Sequence, residues 1–217
     1  MLLEFVNVTG KKGRFKLDNV SFSLPAGYIM GLAGVNGAGK TTLIDYIMNG
    51  KKRYTGTIKI DGVDIRENHA DMRNLIGFVS DENVFFEDRT CDQNVELMSM
   101  FYKDFDGDIY KQAMKDMNVA GGLTLSKMSR GERMKFQMAF AMAHKPAIYL
   151  LDEVTAGMDP VFRIDFFRML HKVIEDEGAS VLMTSHIESE MEQKMDYLGV
   201  LEEGRLVEFG ESLEVLG

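Results

Sequence analysis

Short apolar runs bounded by polar turns recur along the whole chain, and they predict a fold built around β-sheets. The predicted strands are Leu2–Val8, Val20–Leu24, Tyr28–Ala33, Thr57–Ile60, Leu75–Val79, Ala147–Leu151, Ser180–Thr184 and Tyr197–Leu201. The early strands follow one another closely and predict an antiparallel start, whereas the later ones alternate with helical patterns and predict a mostly parallel sheet. Gly204 marks the turn of a final hairpin.

A helical pattern replaces the strand pattern between about residues 85 and 145. Within it, apolar residues recur at helical spacing in three segments, Asn94–Phe101, Ile109–Met117 and Glu132–Ala143. We expect residues 85–145 to form a helical subdomain inserted into a single domain that covers residues 1–217. The predicted fold class is α/β, with a mostly parallel sheet, an antiparallel β subdomain at the N-terminus and this inserted helical subdomain.

Composition and charge narrow the classes of partner. The chain is 45% hydrophobic, which allows a substantial core, and its formal net charge is −9. Nucleic-acid backbones require a positive protein surface, so this charge argues against a nucleic-acid partner. The single cysteine, Cys91, excludes a disulfide within the chain and suits a reducing cytosol. No apolar stretch approaches the roughly 18–20 residues that span a bilayer, and the N-terminus resembles a strand rather than an export signal.

The most informative local motif lies between the predicted strand Tyr28–Ala33 and a helical pattern at Leu43–Met48. It fits G-x-x-x-x-G-K-[ST], in which glycines let backbone N–H groups wrap closely around nucleotide phosphates. The predicted nucleotide-binding residues are Gly34, Val35, Asn36, Gly37, Ala38, Gly39, Lys40, Thr41 and Thr42. Lys40 supplies positive charge, the Thr41 hydroxyl suits Mg²⁺, and the helix that begins near Gly39 points its positive end at the phosphates. The motif therefore predicts a nucleoside triphosphate and Mg²⁺ as ligands.

Two acidic residues, Asp152 and Glu153, follow the buried run that begins at Ala147. In an open parallel sheet this position is the carboxyl edge, where ligands bind. One carboxylate suits Mg²⁺, and the second can orient or deprotonate an attacking water. The alternative is a pair of acids that caps a turn, which the phosphate-binding motif disfavours. Asp152 is the predicted metal ligand, and Glu153 is the predicted catalytic carboxylate.

A second motif precedes Asp152 along the chain. The segment Met128–Glu132 resembles the L-S-G-G-Q signature of ATP-binding cassette (ABC) proteins, and its distance from Asp152 matches that family. Ser129 and Glu132 also form a capping-box pattern at a helix N-terminus, and both interpretations can hold together. The resemblance implies that Ser129 and Gly131 contact the γ-phosphate of ATP bound to an opposite subunit.

Further landmarks of the ABC family follow in order. The segment Ala156–Pro160 resembles the D-loop, and Thr184–His186 resembles the segment whose switch histidine contacts the γ-phosphate. The resemblance covers nearly the whole chain and implies the ABC ATPase fold, with a P-loop nucleotide-hydrolase core. It also implies that Lys40, Glu153 and His186 are the catalytic residues.

The chain departs from the family pattern in three places. Asp81 occupies the position of the Q-loop glutamine in one register, and Glu82 occupies it in the register shifted by one. A carboxylate there holds Mg²⁺ or its water more strongly than an amide does, so Asp81 is a further predicted metal ligand. Arg130 replaces the first glycine of the signature. Phe15 is the nearest candidate for the aromatic residue that stacks on adenine, and core packing is the alternative.

The resemblance implies that the chain is the ATP-hydrolysing subunit of an ABC transporter, most like bacterial ABC-2 type exporters of drugs, antibiotics or peptides. One phosphate loop and one signature per chain require a partner, which implies a homodimer or a heterodimer with a second ABC ATPase. Separate integral-membrane subunits would carry the substrate, and the chain would be cytoplasmic, on the inner face of the membrane. One alternative is a soluble ABC ATPase acting on DNA or ribosomes; another is a nucleotide sensor without turnover. The acidic charge disfavours the first, and the retained catalytic residues disfavour the second.

Overall fold

The computed structural model describes residues 1–13, 15–49, 53–82, 84–155, 158, 160–185 and 195–215, and these form ten strands. In chain order the strands are β1 (Leu3–Lys12), β2 (Phe15–Leu24), β3 (Ile29–Ala33), β4 (Tyr54–Ile60), β5 (Val63–Asp64), β6 (Ile76–Ser80), β7 (Ile148–Asp152), β8 (Ser180–Ser185), β9 (Tyr197–Glu202) and β10 (Arg205–Glu211). They make a four-stranded sheet in the order β2-β1-β4-β5 and a six-stranded sheet in the order β10-β9-β3-β8-β7-β6.

Helices connect the strands. In chain order they are α1 (Lys40–Met48), α2 (His69–Asn74), α3 (Cys91–Met98), α4 (Gly107–Asp116), α5 (Arg130–Met142), α6 (Pro160–Glu177) and α7 (Ser212–Val215). Single 3₁₀ turns cover Ser99–Phe101 and Leu125–Lys127. Among the described residues, no helix combines the length and the apolar character that crossing a membrane requires.

The smaller sheet is antiparallel, because β1 pairs antiparallel with both β2 and β4. Its strands alternate between exposed and buried positions, as in β2, where Leu17, Phe22 and Leu24 are buried. These side chains belong to one apolar cluster that also includes Leu43 and Tyr46 of α1. The predicted antiparallel start of the chain is confirmed, and it packs against the helix that follows the phosphate-binding motif.

The larger sheet brings polar residues together at one edge. Strands β3, β8, β7 and β6 are parallel, and every residue of β3, β7 and β8 is buried. Buried parallel strands are continuously apolar because both faces are covered. Apart from Tyr149 and Ser180, the polar residues of these strands lie at their carboxyl ends, where Asp152 is paired with Ser80 on one side and with Thr184 on the other. The mostly parallel α/β sheet is confirmed, and it places these three residues side by side.

Helices α3, α4 and α5 occupy most of the segment predicted to be helical. They share an apolar cluster that contains Cys91, Tyr110, Met114, Phe136 and Ala139. Helix α5 also joins this cluster to the larger sheet, because Met134 and Met138 on another side of the helix belong to the cluster beneath β7 and β8. The single domain and the boundaries of a helical subdomain stay predictions.

All three predicted helices of this segment begin earlier than their apolar spacing indicated, and α4 starts at Gly107 rather than Ile109, after its N-cap Asp106. Helix α3 starts at Cys91 rather than Asn94, because Thr90 and Gln93 form a capping box there. Helix α5 starts at Arg130 rather than Glu132, because Ser129 is its N-cap. Periodicity detects only the buried face of a helix, whereas a capping box fixes the polar first turn.

Candidate nucleotide-binding site

The predicted phosphate loop connects the buried strand β3 to α1. Gly37 and Gly39 have φ angles of 83° and 116°, in the left-handed region that favours glycine. Gly39 is the N-cap of α1 and offers no side chain to its N–H groups. The N-terminus of α1 therefore presents backbone donors and the positive end of its dipole toward the loop, which suits an anion.

Lys40 is held inside this loop and is only 4% exposed. Its ammonium Nζ donates to the carbonyl oxygens of Gly34 and Val35, at 2.7 and 3.3 Å, and lies 3.5 Å from Oε1 of Glu153. A buried ammonium requires negative partners, and a phosphate bound in the loop would add one to the carbonyl oxygens and the carboxylate beside Nζ. The charge is thus placed to receive a phosphate.

Asp152 and Glu153 lie at the carboxyl end of β7, where Thr184 of β8 joins them. The Thr184 hydroxyl donates to Oδ1 of Asp152 at 2.6 Å and accepts the backbone N–H of Glu153 at 3.0 Å. Glu153 has a φ of 52°, a left-handed conformation uncommon outside glycine. Thr184 therefore fixes both acids. Sequence reasoning gave Thr184 no role, although it is the polar residue that ends an apolar run.

Burial sets the protonation behaviour of Asp152. It raises the pKa of the carboxyl above its usual value, while hydrogen bonds from Thr184 and Thr41 act in the opposite direction. Thr41 and Asp152 are therefore in contact, and they offer a hydroxyl oxygen and a carboxylate oxygen. Oxygen ligands of this kind suit Mg²⁺, which is held in proteins by one or two carboxylates together with substrate phosphates. The donor set fits the ligands that the sequence predicts.

Phe15, the candidate for adenine stacking, lies against the phosphate loop. A Cβ added to Gly39 would meet its ring at 2.5 Å from Cζ, so the aromatic ring covers this glycine directly. Phe15 is partly buried and also packs against the larger apolar cluster. Its position beside the loop is compatible both with stacking on adenine and with core packing, so its role in nucleotide binding stays a prediction.

The predicted signature residues begin helix α5. Ser129 accepts the N–H of Glu132 at 3.3 Å, and its own N–H and hydroxyl both donate to Oε2 of Glu132 at 2.8 Å. The capping-box interpretation is confirmed. Gly131 lies in the first turn, where a Cβ would have no neighbour within 4 Å. Contact of Ser129 and Gly131 with a phosphate of another subunit stays a prediction.

Two of the three departures from the family pattern, Asp81 and Arg130, contact each other. Arg130 Nε lies 2.5 Å from Oδ1 of Asp81, and Arg130 Nη2 donates to the carbonyl oxygen of Glu153 at 3.4 Å. Glu82, the other Q-loop candidate, lines a groove that also contains Thr41 and Asp152. A metal-binding role for Asp81 stays a prediction. The predicted switch residue His186 lies outside the described residues, as do residues 156, 157 and 159 of the predicted D-loop.

The chain is similar to known ATP-binding proteins. The model of the family described as ABC transporter matches residues 17–156. The ABC transporter ATP-binding protein YtrB of Bacillus subtilis is 30% identical over 89% of this chain and 66% of its own length. The bacitracin transport ATP-binding protein BcrA of Enterococcus faecalis is 29% identical over 96% of this chain and 70% of its own. The chain thus spans about two thirds of the length of these relatives.

A solved structure shares the fold. A dimeric ATP-binding cassette bound to ADP and Pi, in a post-hydrolysis state, superposes with a TM-score of 0.84. The alignment covers 97% of this chain and 99% of that one at 22% identity. This likeness establishes the fold of the chain.

Proposed function

This chain belongs to the ABC transporter family, whose ATP-binding domains hydrolyse ATP, and we propose that it powers export through separate membrane subunits. The proposal follows from residues that bind phosphate, hold a metal and activate water at one edge of the larger sheet. Lys40 and the N-terminus of α1 bind the phosphates. Thr41 and Asp152 would hold Mg²⁺, which when bound neutralises charge that builds on the β–γ bridge.

Glu153 is the catalytic carboxylate in this proposal. The observation that carries it is the convergence of Lys40, Thr184 and Glu153: the backbone N–H of Glu153 is fixed by Thr184 while its side chain stays 33% exposed. A carboxylate that is both fixed and open to solvent can orient a water and take its proton. Its neighbour Asp152, which is buried, keeps the metal-binding role.

Replacing Glu153 tests this assignment. Glu153→Gln keeps the side-chain shape and removes the charge that polarises water, so ATP turnover falls at least about a hundredfold while ATP binding survives. Glu175→Gln, on the exposed side of α6, is the matched control and keeps turnover. A Glu153→Gln protein with near-normal turnover removes Glu153 from this role.

An exposed apolar surface supports the membrane-subunit partner. Met100 and Phe101 are 76% and 70% exposed, and Val84, Phe86 and Leu97 are also exposed. Exposed apolar residues that lie together mark interaction sites. Sequence reasoning expected Phe85 or Phe86 to be partly exposed, and both are.

A groove of about 540 Å³ begins in this region and reaches the catalytic edge. It is lined by Val84, Phe85 and Tyr102 at one part and by Thr41 and Asp152 at another. A segment of a membrane subunit seated there would contact both. This arrangement supports the proposal that the chain is a peripheral subunit on the inner face of the membrane. Phe101→Glu should abolish binding to membrane subunits encoded by neighbouring genes and leave the ATPase of the isolated chain intact.

A second ATPase subunit completes the proposed assembly. Ser129 and Gly131 begin α5 at the protein surface, where a nucleotide held by another subunit can reach them. We therefore expect the Glu153→Gln protein to dimerise when saturated with ATP, as measured by sedimentation. A monomer under those conditions contradicts the homodimer and directs the search to a heterodimeric ABC partner. Likeness to the bacitracin transport protein BcrA supports the proposed substrate class, an antibiotic, peptide or drug.

A further inference from the structure

Arg130 connects two parts of the site that are distant in sequence. Its guanidinium contacts the Asp81 carboxylate through Nε and the Glu153 carbonyl oxygen through Nη2. Guanidinium donors have a fixed fork geometry, so one Arg side chain can serve both acceptors at once, whereas a lysine ammonium acts as a point charge. Asp81, as the ion-pair partner beside Nε, holds the guanidinium in the position from which Nη2 reaches Glu153.

The start of α5 is held in register with the end of β6. Gln137, two turns after Arg130 on the same helix face, accepts the N–H of Ser80 and donates to its carbonyl oxygen, both at 3.0 Å. Ser80 directly precedes Asp81. The buried Gln137 contact therefore places Arg130 opposite Asp81. The ion pair adds a second, more exposed contact between α5 and the end of β6.

Glu153 is consequently held from three directions. Thr184 accepts its N–H, Arg130 donates to its carbonyl oxygen, and Lys40 lies 3.5 Å from its carboxylate. A non-glycine residue with a φ of 52° is strained unless its surroundings determine that conformation. Contacts on both sides of the residue supply this constraint.

We propose that Arg130 is a positioning residue for Glu153, and that Asp81 orients Arg130 rather than a metal ion. The proposal rests on the catalytic role of Glu153 proposed above. Asp81 and Arg130 are 54% and 40% exposed, and exposed ion pairs add little to folding stability. Their contribution is therefore to the geometry of Glu153, which Arg130 links to the first turn of α5.

The test is a double-mutant cycle on the full chain. Arg130→Gln and Asp81→Asn should each lower kcat about tenfold, because a shifted carboxylate no longer aligns water, with KM for ATP changed less than about twofold. In the double variant kcat should fall about tenfold and not a hundredfold, because either single change already breaks the same Asp81–Arg130–Glu153 contact. Arg168→Gln, which breaks the exposed pair with Asp165 on α6, is the matched control and keeps kcat.

A second measurement uses the protein without nucleotide. Hydrogen exchange of the backbone at residues 153–155 should quicken in Arg130→Gln and in Asp81→Asn, and not in Arg168→Gln. This readout reports the contact with Glu153 whether or not Glu153 is catalytic, so failure of the proposed function is seen separately in the turnover of Glu153→Gln. Unchanged exchange in both variants overturns the proposal. So does a multiplicative double variant, or a raised Mg²⁺ requirement in Asp81→Asn without one in Arg130→Gln.

Discussion

The two sides of the nucleotide site are held by different kinds of contact. On the side of α1, β7 and β8, Lys40, Asp152 and Thr184 are buried, and their hydrogen bonds are shielded from water. On the side of β6 and α5, Asp81 and Arg130 meet at the surface. Buried polar contacts are costly to break, whereas exposed ion pairs are weak and screened by salt. The first side is thus preorganised, whereas the Asp81–Arg130 pair of the second side is more easily broken.

Removing Lys40 should break the preorganised side most severely. Lys40→Ala deletes the buried ammonium, so the dissociation constant for ATP should rise about a hundredfold, as expected for losing charge-assisted contacts to phosphate. Isothermal titration calorimetry measures this change. The exposed Lys111 on α4 provides the control, because Lys111→Ala leaves the phosphate loop intact. ATP affinity within about twofold of wild type in Lys40→Ala shows that the buried ammonium does not bind phosphate.

Thr184 separates positioning from binding on the same side. Thr184→Val keeps the shape but removes both hydrogen bonds, which releases the Asp152 carboxylate and leaves the Glu153 N–H without its acceptor. We expect kcat to fall about thirtyfold, with a smaller change in KM, and Thr184→Ser to restore most of it. Thr155→Val is a matched control, since the Thr155 hydroxyl is buried without a hydrogen-bond partner among the described residues. Equal losses in both valine variants make the effect one of packing.

Substitutions of Phe15 test whether the preorganised side extends from the phosphates to the adenine base. If its ring stacks on adenine, Phe15→Ala should weaken ATP binding about fivefold and inorganic triphosphate binding hardly at all, because triphosphate has no base to stack. Phe15→Tyr keeps the ring and serves as the control. Equal losses for ATP and triphosphate show instead that Phe15 only supports Gly39 and the loop.

Sequence reasoning succeeded where the chemistry is local in the chain. The residues from Gly34 to Thr42 are contiguous, and their spacing alone predicts the loop between β3 and α1 that the structure contains. Buried parallel strands were equally visible, because a continuous apolar run such as β7 has few other interpretations. Short elements at the surface, α2 and β5, carry no such signal and were missed.

Contacts between distant segments could not be predicted in the same way. Asp81 and Arg130 each broke a pattern, but their meeting depends on how α5 packs against β6 through Gln137. Thr184 was hidden for a similar reason: within a buried strand a threonine is unremarkable until its neighbour Asp152 is known. On each side of the site, the residues that are close together in the chain were therefore predicted from the sequence. The contacts between distant segments could be found only in the structure.

The smallest predicted effect concerns His144, a buried residue that follows the C-terminal end of α5. His144 is buried, its ring nitrogens face the carbonyl oxygens of Phe140 and Ile76 at 3.3 and 3.1 Å, and Tyr102 stacks on it. Burial lowers the pKa of His144 below its usual value of 6.5, while the two carbonyl contacts oppose that shift. The unfolded chain therefore binds a proton here more readily than the folded chain does. Stability is fully present above pH 6.5 and declines as the pH falls through that value.

The pH dependence of stability can be measured through the melting temperature. Between about pH 7.5 and about pH 5.5 the wild-type melting temperature should fall, and His144→Gln should fall less because it has no proton to gain. His171→Gln, at an exposed position of α6, should follow the wild type. If the melting temperatures of His144→Gln and the wild type fall equally, protonation of His144 does not contribute to the loss of stability. A smaller fall in His144→Gln would show that the second side has a further buried anchor besides Gln137, beyond the end of α5 opposite to Arg130.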